Sequence, residues 1–147
     1  MFKADERYIA GLMQYGPGEN ERFGRFFNVS LEVLDPEAQG INLPDKPSTD
    51  KASWIKYNWE RTGEVHFWHD ADAENGGAPA VKVPGLIGVP GCRWSMEMPE
   101  RKLQVKMRLK SSRDLAVFLH ECYHANVQFR FFEPQAELGL NGEASDE

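Results

Sequence analysis

A chain of 147 residues, 41% of them hydrophobic, is long enough to bury one substantial core and too short for two, so residues 1–147 are expected to form a single domain. Its formal charge of −6, from 17 basic against 23 acidic side chains, argues against bulk attraction to nucleic acid or anionic membranes, though a local basic patch can override the total. No apolar run approaches the roughly 20 residues that span a bilayer, and the opening MFKADERY lacks the apolar core of a signal peptide, so a cytoplasmic protein with no membrane partner is expected.

Asp5 to Gln14 reads as a short helix with Tyr8, Ile9, Leu12 and Met13 on one side, ended by Gly16-Pro17-Gly18. Phe27, Val29, Leu31 and Val33 then alternate with polar residues, the pattern of a strand with one buried face. Residues 37–52 lack periodicity and read as a long surface loop. Two aromatic runs, Ile55 to Trp59 and Glu64 to His69, flank Arg61-Thr62-Gly63 and predict a β-hairpin, followed by an acidic, glycine-rich loop over residues 70–80. Val81 to Gly91 is broken by Pro-Gly pairs and predicts short, kinked extended pieces. Trp94, Met96 and Met98 alternate, Pro99-Glu100-Arg101 predicts a turn, and Leu103, Val105, Met107 and Leu109 form the clearest strand pattern in the chain. Cys92 and Cys122 are too few for a disulfide framework and read as buried thiols.

From Ser111 the pattern becomes helical. Ser111 with Asp114 reads as a capping box, and Leu115, Phe118, Leu119, Cys122, Asn126 and Phe129 recur at helical spacing, with Pro134 as a stop. Val127, Phe129 and Phe131 also alternate, so Asn126 to Phe132 reads equally as a strand, and the end of the helix stays open. Within this stretch His120, Glu121 and His124 spell H-E-x-x-H. On a helix, residues four apart share a face, so both imidazoles could reach one zinc ion while Glu121 takes a proton from metal-bound water.

The strand over Lys102 to Leu109, the short turn, the capped helix and the flanks VFLHECYHA resemble the edge strand and active-site helix of the zincin superfamily of zinc metallopeptidases over residues 102–126. That resemblance implies a zinc-dependent hydrolase of peptide or protein substrates, with His120 and His124 as ligands and Glu121 as general base. Val127 and Arg130 stand where the metzincin branch has glycine and a third histidine, so the resemblance implies instead a gluzincin-type glutamate as third ligand, Glu133 or Glu137. Of His66 and His69, which point to opposite faces of a strand, His69 or neighbouring Asp70 is the better candidate to join the pair.

A second signal is electrostatic. Lys102, Lys106 and Arg108 lie on the polar face of one strand, within a basic stretch that runs from Arg101 to Arg113. Beside Trp59 and Trp68, such a stripe could hold single-stranded nucleic acid, bases on rings and phosphates on cations, or it could receive a protein partner. The alternative to the hydrolase is therefore a non-enzymatic, β-rich binding module. The architecture expected is α+β: a mainly antiparallel sheet with one long C-terminal helix, a short N-terminal helix and a disordered acidic tail over residues 139–147.

Overall fold

The computed structural model describes residues 2–3, 6–22, 24–43, 53–70, 77–95 and 98–132. Its elements are β1 (Tyr8–Asn20), β2 (Gly24–Leu34), β3 (Ser53–His69), β4 (Val81–Ser95), β5 (Met98–Lys110), the helix α1 (Arg113–Cys122) and β6 (Asn126–Phe132). The strands close into an antiparallel barrel in the order β1-β2-β5-β4-β3-β6, with β6 sealing the gap between β1 and β3. The α+β expectation is thereby corrected to a mainly β architecture: among the described residues there is no N-terminal helix, Tyr8–Asn20 being a strand, and the helix that follows β5 is ten residues long.

The N-terminal helix fails because a period of two fits residues 8–12 better than a period of 3.6. Tyr8, Ala10 and Leu12 are buried, while Ile9 and Met13 are exposed. Gly11, inside the expected helix, further weakens it. The C-terminal helix stops early because Val127, Phe129 and Phe131, each almost wholly buried, are used at strand spacing to close the barrel. A single strand replaces the expected hairpin: Arg61, Thr62 and Gly63 pair with Ile87, Leu86 and Gly85 of β4 instead of turning. Gly63 makes this passage possible, since a side chain there would collide with the carbonyl oxygen of Phe132. The kinked pieces expected over Val81 to Gly91 are likewise one strand, whose Pro90 sits in a bulge between Gly88 and Gly91.

The interior is filled by alternate residues from all six strands, among them Leu12, Val29, Leu31, Val65, Phe67, Ile87, Val105, Leu109 and Phe129. Leu115, Phe118 and Leu119 of α1 cover one end, with Phe118 against the Phe67 ring at 5.4 Å. Ser112, one residue later than the expected cap, accepts a hydrogen bond from the Leu115 amide at 3.2 Å and starts this helix. Phe2 packs edge-on against Tyr8, Trp59 and Phe129 towards the other end. The seam is short: β6 pairs with β1 only as far as Gly11. Past it, Pro17 lies in the part of β1 whose outer edge has no strand partner among the described residues, and its missing N–H blunts that edge.

Candidate functional site

The H-E-x-x-H residues do not share a helical face. Helix α1 ends at Cys122, Tyr123 caps it with extended ψ, and His124 follows in the left-handed region at φ 64°. The His124 amide donates to the Leu12 carbonyl at 2.9 Å, and the Leu12 amide donates to Ala125 at 2.9 Å. His124 is thus tied to β1 at the point where the chain reverses into β6. Its ring rests on Tyr123, 4.0 Å between centroids, and Tyr123 in turn meets Tyr15. His120 stays in the last helical turn, exposed. Glu133 and Glu137, the expected third ligands, lie outside the described residues. Among the described residues no group of three or more His, Cys, Asp or Glu side chains could hold a metal ion.

His69 does reach the helix, but on its other residues. Its Nδ1 lies 3.3 Å from Cys122 Sγ, and its Nε2 lies 3.6 Å from Glu121 Oε1, with Phe118 beneath the ring at 4.8 Å. A thiol, an imidazole and a carboxylate in series resemble a nucleophile, its base and the base's orienting group. The electrostatics oppose that use: burial, then the Glu121 charge, pushes the Cys122 thiol up to about 11, and its place at the helix C-terminus disfavours a thiolate further. Asp70 accepts a hydrogen bond from Gln128 Nε2 at 3.2 Å and so belongs to the β6 side. His66 is buried on the opposite face of β3 from the core. Arg130 Nη2 donates to its Nδ1 at 2.8 Å and Glu64 Oε1 lies 2.6 Å from its Nε2, which assigns the neutral form with the proton on Nε2.

Of the two tryptophans offered for base stacking, Trp68 is covered and Trp59 is half-buried. Trp68 is 2% exposed, donates from Nε1 to the Gly77 carbonyl, and lies under the guanidinium of Arg7 at 4.1 Å. Trp59 is half-buried and packs on Phe2 and Phe131.

The basic strand is different. On β5, Lys102, Gln104, Lys106, Arg108 and Lys110 alternate with buried Leu103, Val105, Met107 and Leu109, so the polar set faces outward. Arg101 is the exception within the basic run: it is buried and forms a two-pronged ion pair with Glu37. Lys102 lies 3.9 Å from Glu32. Lys106 and Arg108 have no carboxylate partner among the described residues, and they line a groove of about 530 Å³ with Asn28, Trp59, Glu60, Leu86, Gly88 and Pro90. Strand register assembles it: Lys106 lies between Ser30 and Gly88, and Arg108 between Asn28 and Leu86. Bulges in β3, between Lys56 and Trp59, and in β4, between Gly88 and Gly91, coincide with its β3–β4 side. A second groove of about 390 Å³, lined by Gln14, Tyr15, Gly16 and Ser30, continues it past Asn28 and Lys106 to β1. The Arg108 guanidinium stacks on Phe26 at 4.7 Å, and its Nε is buried with no acceptor among the described residues.

Asn28, Glu60, Leu86 and Phe26 were not singled out by the sequence. The only local signals were glycines on outward strand positions, Gly16 and Gly88, which leave room where a side chain would stand.

Fold and site together define a helix-capped, six-stranded antiparallel barrel with a cationic groove across its outer face. Comparison with known protein families, curated proteins and solved structures finds no match to this chain.

Proposed function

We propose that this chain is a non-enzymatic β-barrel binding module whose basic β5 face receives an anionic partner. One observation carries the reading: Lys106 and Arg108 share a groove of about 530 Å³ and, although Glu60 lines it too, no carboxylate of the described residues lies within ion-pair distance of either. The zinc-hydrolase reading has weaker support, since His120 and His124 fall on either side of the helix end. The described part of the chain contains no helix long and apolar enough to cross a membrane.

The test is binding to a panel of labelled polyanions, oligo-dT and poly-glutamate, by fluorescence anisotropy at low salt. Binding of at least one is expected, weakening as salt rises and falling more than about tenfold when Lys106→Glu and Arg108→Glu are combined. A chain that binds neither polyanion at low salt is not this module.

A further inference from the structure

Building on the binding-module reading, we infer that the occupant of the groove is an acidic polypeptide segment in extended conformation, with carboxylates on Lys106 and Arg108 and an apolar side chain over Leu86 and Pro90. Lys106 and Arg108 are two residues apart on one strand face, roughly 6.8 Å along it, which is also the spacing of every second side chain on an extended peptide. Asn28, directly opposite Arg108 on β2, adds an amide that can donate to the same carboxylate or accept from a peptide N–H.

The rest of the groove is not built for a chain carrying a charge at every unit. Beside the two cations the outward side chains of its lining turn apolar at Leu86 and Pro90, while Glu60 of β3, opposite Gly88, adds an exposed carboxylate. A polyphosphate crossing it would bring like charge to Glu60. An acidic peptide can set an apolar residue there and keep its carboxylates on β5. Single-stranded nucleic acid also needs ring faces for its bases. Phe26, beside the cations, is buried and covered by the Arg108 guanidinium, and Trp59, which lines the groove, is half-buried, packed on Phe2 and Phe131 with the Arg61 guanidinium 5.3 Å from its ring. The groove therefore supplies charges and an apolar step, and no fully exposed ring lies beside Lys106 and Arg108.

Three labelled probes separate the sources: a peptide of alternating glutamate and leucine, poly-glutamate, and oligo-dT. The alternating peptide is expected to bind about tenfold or more tighter than oligo-dT, since a filled apolar step adds on the order of 1.4 kcal/mol. Lys106→Ala and Arg108→Ala should each weaken both peptides. Leu86→Asn should weaken the alternating peptide and leave poly-glutamate within about twofold, with circular dichroism confirming that each variant is folded. If oligo-dT binds as tightly as the alternating peptide and loses affinity with the same two substitutions, the occupant is a nucleic acid: the inference is overturned while the binding module stands. If poly-glutamate equals the alternating peptide and Leu86→Asn affects neither, the apolar step is wrong and the inference fails in that form. If no probe binds, both fail.

Discussion

The backbone amide of His124 donates to the carbonyl of Leu12 at 2.9 Å, and this bond fixes where the helix after β5 has to end. A helix carried on to His124 would keep its i to i−4 hydrogen bonding and leave Leu12 without this partner. The chain instead reverses at His124 in the left-handed region, and β6 can then run back between β1 and β3.

That geometry makes the metal question easy to pose. A non-glycine residue at φ 64° is strained, by up to roughly 1–2 kcal/mol, and glycine relieves it. His124→Gly is expected to leave the melting temperature unchanged or raise it, and His120→Ala to shift it by no more than about 2 °C, as for any exposed side chain. Untagged protein should show no thermal stabilisation by added zinc. One zinc per chain, lost together with several degrees of stability in either variant, would restore the hydrolase.

Arg101 tests the barrel's one described pair of a buried cation with a surface carboxylate. Its Nε and Nη2 reach Glu37 at 3.1 and 2.7 Å, with Arg101 buried and Glu37 partly exposed. Glu37→Ala should cost about 1–3 kcal/mol in denaturant unfolding, because the guanidinium keeps its burial and loses this two-pronged carboxylate. Arg101→Met should cost less than Glu37→Ala, since it removes the charge and keeps most of the volume. Equal loss from both would place the energy in the arginine's packing instead.

The thiols make the fold sensitive to alkali. Cys122 has its pKa raised from 9.0 to about 11 by burial and by Glu121, and burial raises Cys92 and Tyr8 in the same direction. Below pH 9 the Cys122 thiol is protonated in both states and contributes nothing to the pH dependence. Between pH 9 and about 11 the unfolded chain releases the proton and the folded one keeps it, so stability falls as pH rises. Urea midpoints should decline across that window, and the decline should be shallower in Cys122→Ala. A slope identical to that of the unsubstituted chain would mean that Cys122 is not the group responsible.

Two glycines give opposite expectations. A methyl group on Gly63 meets the Phe132 carbonyl oxygen and the Phe131 ring at the seam, whereas one on Gly16 meets nothing within 4 Å. Gly63→Ala should destabilise by about 1–3 kcal/mol and raise hydrogen exchange along β6. Gly16→Ala should be neutral or slightly stabilising, because it restricts the unfolded chain at no steric cost. Comparable losses from both would show that β6 does not pass Gly63 as closely as described.

The strands that alternate cleanly were legible without a structure. Val29, Leu31 and Val33, and Leu103, Val105, Met107 and Leu109, are buried one by one as their spacing implied, and both cysteines are buried thiols. The outward direction of Lys106 and Arg108 follows from the same alternation. Where two periods fitted the same letters, only the tertiary structure could choose. Tyr8, Leu12 and Met13 satisfy a helix wheel, yet residues 8–12 also alternate, and the barrel needs them as a strand between β2 and β6. H-E-x-x-H satisfies a helix locally, but the last two residues of that spacing were required for the reversal into the closing strand. The groove was hidden for a related reason. Asn28, Glu60 and Leu86 come from three different strands and meet Lys106 and Arg108 only through register, which pairs residues far apart in the chain. Local spacing determines which face of a strand a side chain takes; which strand lies beside it is decided by closing one core, where the burial of Val127, Phe129 and Phe131 outweighs one more turn of helix.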